Sequence, residues 1–276
     1  MALWDKLTSR GNIEDRRGQT AAIGGGLGVV GIVASLLYSF LSGTPIDVNQ
    51  ILTQLQAVQP AQQNLTIKDF EGADNYEVFA STVLGSTTDV WRNVFEQNGT
   101  TYPEPRLVLF RAATTSGCGI ATSDVGPHYC PADQTIYIDE TFFIELQQRF
   151  KAQGGDVAEA YVIAHEVGHH VQRELGTMDK VQQSGNSNLS SINLELQADC
   201  FAGIWANSVA GLGIFQPGEI NEAIDAASAV GDDRIQQSVQ GQINPETWTH
   251  GSSEQRVKWF TTGFDTGDPQ ACNTFS

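Results

Sequence analysis

The stretch DVAEAYVIAHEVGHHVQRELG, Asp156 to Gly176, decides how this chain is read. Val157, Ala160, Tyr161, Ala164, Val167, Gly168 and Val171 recur at the spacing of one helix face, which predicts a largely buried helix. Asp156 with Glu159 three residues later reads as a capping box, and Gly176 as the stop. His165 and His169 are four residues apart, so on a helix both imidazoles share one face, one turn apart, where they can hold one zinc ion. Glu166 falls beside the metal, where a carboxylate can take a proton from metal-activated water. Two partly buried histidines of no chemical consequence are the plain alternative. The chain has only five His, and chance would place His-Glu-x-x-His in it fewer than about one time in a hundred.

Two histidines cannot hold a catalytic zinc alone. A third protein ligand is needed, with the fourth position open. Gly176 to Ser191 is polar and reads as a loop. Beyond it, Leu194, Ala198, Phe201, Ala202, Ile204 and Trp205 give helical periodicity from Asn193 to Trp205. Glu195 and Asp199 share a face of that helix that is otherwise small and apolar. A buried carboxylate pair is costly unless it binds metal or accepts hydrogen bonds. Glu195 as third ligand and Asp199 as acceptor for the free N–H of a ligating His would satisfy both, whereas on a surface helix both would simply be solvated.

Upstream, Tyr76 to Gln97 has helical spacing, Leu107 to Phe110 reads as a strand, Thr114 to Gly119 as a loop, Gln134 to Asp139 as a second strand and Thr141 to Lys151 as another helix. The Gln134–Asp139 strand is a candidate edge for pairing with an extended substrate. The net charge of −17 argues against binding nucleic acid through its phosphates. The four cysteines, Cys118, Cys130, Cys200 and Cys272, suit two disulfides in an extracytoplasmic domain and thiols in the cytoplasm. A Cys118–Cys130 bridge would close a short loop before the second strand; a redox or metal pair is the alternative. His128, between them, reads as an ordinary loop residue.

Residues 1–20 are polar and carry Lys6, Arg10, Arg16 and Arg17, and Ala21 to Leu41 contains no charge. That run is long enough to cross a bilayer, and the positive-inside rule predicts a cytoplasmic N-terminus. The expected organisation is a cytoplasmic segment 1–20, a transmembrane helix 21–43, a linker 44–64 and a domain 65–276. The protein would thus be a single-pass protein of the cell (inner) membrane with its domain periplasmic or extracellular. Gly24 and Gly28 offer a G-x-x-x-G route to a homodimer.

With Glu195-x-x-Ala198-Asp199 following His165-Glu166-x-x-His169, the chain resembles the gluzincin arrangement of metallopeptidases. The wider string resembles the bacterial neutral zinc metallopeptidases of the YpfJ type. The matching stretches are Cys118-Gly119, Gly126-Pro127-x-Tyr129-Cys130-Pro131-Ala132-Asp133, the His165 motif, Glu195 to Gly203, Gly231 to Arg234, Thr249 to Ser253 with Gln255-Arg256, and Cys272-x-Thr274-Phe275. The resemblance implies an α+β, mainly helical, zincin-like domain with a small sheet, a zinc ion (Zn2+) and hydrolysis of peptide or protein substrates. It further suggests that His250 stabilises an oxyanion, with a capping role at the start of a Ser253–Thr261 helix as the alternative, and that Arg256 orients a carboxylate of the site. Asp232, Asp233 and Arg234 read as a structural charged turn. A Cys200–Cys272 bridge would tie the C-terminal segment to the Glu195 helix. A zinc-stabilised extracytoplasmic binding or scaffold module, without turnover, is the competing class.

Overall fold

The computed structural model describes residues 1–18, 75–183, 185 and 187–275. Residues 1–16 and 74–276 form one compact unit, and residues 17–73 fall in a second. The expected transmembrane helix 21–43, its Gly24/Gly28 pair and the linker 44–64 lie outside the described residues. Among the described residues, no helix is long and apolar enough to cross a membrane.

The fold is α+β and mainly helical. The strands are β1 (Asn12–Asp15), β2 (Arg106–Leu109), β3 (Ala113–Ser116), β4 (Gly119–Thr122), β5 (His128–Cys130) and β6 (Thr135–Ile138). The helices are α1 (Asn75–Gln97), α2 (Thr141–Gln148), α3 (Asp156–Glu174), α4 (Thr177–Gln183), α5 (Asn188–Gly211), α6 (Ile220–Ala229), α7 (Asp232–Gln240) and α8 (Ser253–Thr266). One sheet runs β1-β2-β6-β5, parallel except for β5, and β3 with β4 makes a separate antiparallel hairpin. β6 is buried along its whole length between β2 and β5, so its alternation marks an interior strand. It therefore cannot be the substrate edge that its sequence suggested; β5 is the edge on that side.

The N-terminal segment departs most from its reading. β1 pairs with β2 in register Asn12 to Arg106 through Asp15 to Leu109. Trp4 stacks on Trp205 at 6.4 Å, and its indole N–H donates to Asp156 Oδ2 at 2.7 Å. Residues 1–16 are thus built into the same sheet and core as the rest of the domain. A division that leaves them across a bilayer from that domain is incompatible with those hydrogen bonds.

α3 begins at Asp156 and ends before Leu175, but its N-cap is Gly155, without a side-chain cap. Asp156 does not cap because its carboxylate is held by the Ala2 N–H at 2.8 Å and by Trp4, while Glu222 accepts from the Val157 N–H at 3.1 Å. The Thr114–Gly119 loop is mostly the β3–β4 hairpin, and the Gly176–Ser191 loop contains α4 and the start of α5. Both disulfides form as expected: Cys118 with Cys130, and Cys200 with Cys272 across a separation of 72 residues. In the chain-entropy picture the second bridge stabilises the fold by about 4 kcal/mol.

Candidate metal centre

Three helices build the centre. α3 carries His165, Glu166 and His169, α5 carries Glu195 and Asp199, and α8 carries Arg256. Two close approaches make this possible. A Cβ at Gly168 would lie 2.9 Å from Ala198 Cα, so the glycine inside the His-Glu-x-x-His run lets α5 come against α3 at the level of His165 and His169. A Cβ at Gly263 would lie 1.9 Å from the Cys200 carbonyl oxygen, so α8 meets α5 backbone to backbone and Arg256 reaches the site.

His165 Nε2 lies 3.3 Å from Glu195 Oε2, and His169 Nε2 lies 3.4 Å from Glu195 Oε1. One ligand atom from each of the three side chains falls within 4.8 Å of the others. Tetrahedral zinc with bonds of about 2.0–2.1 Å sets its ligand atoms about 3.3 Å apart. The two-nitrogen, one-oxygen donor set and its spacing therefore fit zinc, and no other such cluster occurs among the described residues.

The surrounding groups hold these three side chains in place. His165 Nδ1 lies 2.9 Å from Asp199 Oδ1, which can only accept, so Nδ1 carries the hydrogen and Nε2 faces the centre. Asp199 is fully buried and also accepts from Tyr161 Oη at 2.6 Å, from Arg256 Nε at 2.8 Å and from Arg256 Nη2 at 2.9 Å. Burial opposes the charge on Asp199, but Arg256 and then His165 outweigh it and hold the carboxyl below its usual range. Burial likewise opposes the cation on His165, yet Asp199 and Glu195 raise it to about 10. Burial opposes the cation on His169, but Glu195 outweighs it and raises the imidazole; burial also opposes the charge on Glu195, but His169 and His165 hold it well below the usual range.

Glu166 is buried at 6% exposure, and among the described residues its carboxylate has no hydrogen-bond partner. Its charge is felt at the neighbouring His169. His250 is placed differently. It is half exposed, its Nδ1 lies 3.1 Å from Asp232 Oδ1, and its backbone N–H donates to Asp232 Oδ2 at 2.6 Å. The same Asp232 oxygen accepts from the Thr249 and Gly251 amides, and Ser252 caps α8 through a capping box with Gln255. The hydrogen bonds of His250 run to Asp232 and Thr249. His128 bonds the Gly126 carbonyl and stacks on Tyr137, away from the cluster.

Sequence reasoning gave three buried polar residues of this region no role: Tyr161, His170 and Gln172. Tyr161 is one turn before His165 on the same face, a spacing that could have marked it. His170 Nε2 donates to the Pro103 carbonyl at 2.6 Å, and its Nδ1 accepts from Tyr129 Oη at 2.9 Å, which ties α3 to β5.

Comparison with known proteins agrees with this centre. Residues 2–275 match the family model described as "Putative neutral zinc metallopeptidase". The chain belongs to that family. It is 41% identical to "Uncharacterized protein YpfJ" of Escherichia coli strain K12, covering 99% of this chain and 98% of the relative. It is 50% identical over 186 residues to "Uncharacterized protein Rv2575" of Mycobacterium tuberculosis strain H37Rv, covering 63% of this chain and 64% of that one. No solved structure matches at a significant level. The match to this zinc metallopeptidase family includes residues 2–16, in keeping with their place in the domain.

Proposed function

We propose that this member of the family is a zinc-dependent peptidase in which His165, His169 and Glu195 hold the metal and Glu166 is the general base. The observation that carries the proposal is the Glu195 carboxylate reaching both imidazoles at 3.3 and 3.4 Å, beside a buried Glu166 with no partner among the described residues. Bound there, zinc would supply a Lewis acid that makes water nucleophilic near neutral pH and polarises a peptide carbonyl. Glu166 accepts the proton of the attacking water as its oxygen bonds to the carbonyl carbon, then delivers that proton to the amide nitrogen as the C–N bond breaks. Asp199, locked by Tyr161 and Arg256, keeps the His165 ring oriented throughout. An extended substrate would add at β5, the sheet edge tied to α3 by the Tyr129–His170 contact. A scaffold module with a purely structural zinc would have no use for an unpartnered Glu166.

The proposal includes an extracytoplasmic domain, supported by its two disulfides, with residues 1–16 in the same compartment because they form part of its sheet. Membrane association is proposed for the uncharged run Ala21 to Leu41.

The test is Glu166→Gln in the full chain, assayed on unstructured protein substrates. Cleavage should fall at least about 100-fold, the range of a lost general base, with zinc retained. Zinc-dependent cleavage at the wild-type rate would remove Glu166 from the role.

A further inference from the structure

Gln172 lies three residues after His169 on α3 and is fully buried. Its amide nitrogen donates to the Leu194 carbonyl at 2.7 Å and to Gln197 Oε1 at 3.2 Å. A main-chain carbonyl can only accept, so the orientation of the Gln172 amide is fixed. Its oxygen therefore faces His169 Nδ1, at 2.9 Å. That oxygen also can only accept, so His169 Nδ1 carries the hydrogen, and the Nε2 of the neutral ring keeps its lone pair toward the centre. Gln197 is oriented in the same way. Its nitrogen donates to the Cys272 carbonyl at 2.9 Å, which leaves its oxygen for Gln172. Cys272 is in turn bonded to Cys200, on the same helix as Gln197. Leu194 immediately precedes Glu195, so Gln172 holds one ligand directly and touches the backbone beside another.

We propose that Gln172 is the positioning residue for His169, and that Gln172, Gln197 and the Cys272 carbonyl form a relay through which the C-terminal segment supports the metal centre. The inference rests on the zinc reading of His165, His169 and Glu195. A group that merely filled space between α3 and α5 would be replaced at little cost by methionine, which has similar volume and no amide. The relay predicts otherwise, because methionine leaves the His169 Nδ1–H and the Leu194 carbonyl without partners.

The experiment compares full-length wild type, Gln172→Met, Gln172→Glu and Gln197→Met. Zinc affinity is measured by chelator competition, and the His169 Nδ1–H proton of the zinc-loaded protein is followed by 1H–15N NMR. Gln172→Met should weaken zinc binding about 10- to 100-fold and lose the slowly exchanging Nδ1–H signal. Gln172→Glu retains an acceptor for Nδ1–H but offers no donor to the Leu194 carbonyl, so it should restore the Nδ1–H signal and only part of the affinity. Gln197→Met should weaken zinc binding by a smaller factor. Gln172→Met within about twofold of wild type, with the proton still protected, would overturn the proposal. If that variant does not fold, Gln197→Met with unchanged affinity and an unchanged Nδ1–H signal overturns the relay. A folded wild type that binds no zinc would overturn the metal reading itself, and the relay with it.

Discussion

Replacing Arg256 with methionine should destabilise the metal-free domain by about 3 kcal/mol, near the low end of the range for breaking a buried ion pair. The magnitude follows from burial. The Arg256 and Asp199 side chains are 4% and 0% exposed, and the guanidinium makes a two-pronged contact with the carboxylate at 2.8 and 2.9 Å. An exposed pair would contribute at most about 1 kcal/mol, but removing one partner of a buried pair strands the other charge and costs about 3–5 kcal/mol. Asp199 would keep the Tyr161 hydroxyl and the His165 N–H, which favours the lower value. In a domain of this size about 3 kcal/mol lowers Tm by about 6–12 °C. The assay is thermal unfolding by circular dichroism after chelation of metal. Arg256→Lys keeps the charge but not the fork and should fall between wild type and Arg256→Met. The double variant Asp199→Asn/Arg256→Met should lose less than the sum of the single losses, because no charge is then stranded. A Tm within about 2 °C of wild type for Arg256→Met, or full additivity in the double variant, would refute this account of the buried pair.

Two further predictions concern the frame around the site. Trp4→Ala should cost about 2–4 kcal/mol, since the indole packs among Phe79, Trp205 and Phe215 and bonds Asp156 at the start of α3; an unchanged unfolding curve would detach residues 1–16 from the domain. Burial, with Asp156 and Glu140 nearby, pushes the Glu159 carboxyl from 4.5 up to about 7. The folded state therefore keeps a proton that the unfolded chain gives up, and this contribution to stability is present below pH 4.5 and lost as pH rises through about 7. Glu159→Gln should flatten the fall in Tm across that window and add about 1–2 kcal/mol of stability at pH 8; an unchanged slope would contradict the burial argument.

The helices of His165 and of Glu195 are legible because their signal is local. The apolar spacing of Val157 to Val171 and the four-residue steps from His165 to His169 and from Glu195 to Asp199 need no distant information. What could not be read was set by partners far along the chain. Asp156 looks like a cap, but its carboxylate is taken by Ala2 and Trp4, more than 150 positions earlier. β1 has only Ile13 as an apolar residue and sits at a parallel edge, where alternation carries little signal, so its charged neighbours suggested a cytoplasmic segment instead. The alternation in β6 marks a strand but says nothing about whether both its edges are occupied. Gln172 is not legible in the sequence because an amide on a helix has no distinctive spacing; only its three fixed hydrogen bonds reveal its place.

The central claim is that His165, His169 and Glu195 hold a zinc ion, and metal content tests it most directly. Full-length protein, purified without chelator and analysed by mass spectrometry for bound metals, should contain about one zinc per chain, and Glu195→Ala should lose it while remaining folded. A well-folded wild type without zinc, or a Glu195→Ala variant that keeps its full complement, would contradict the account.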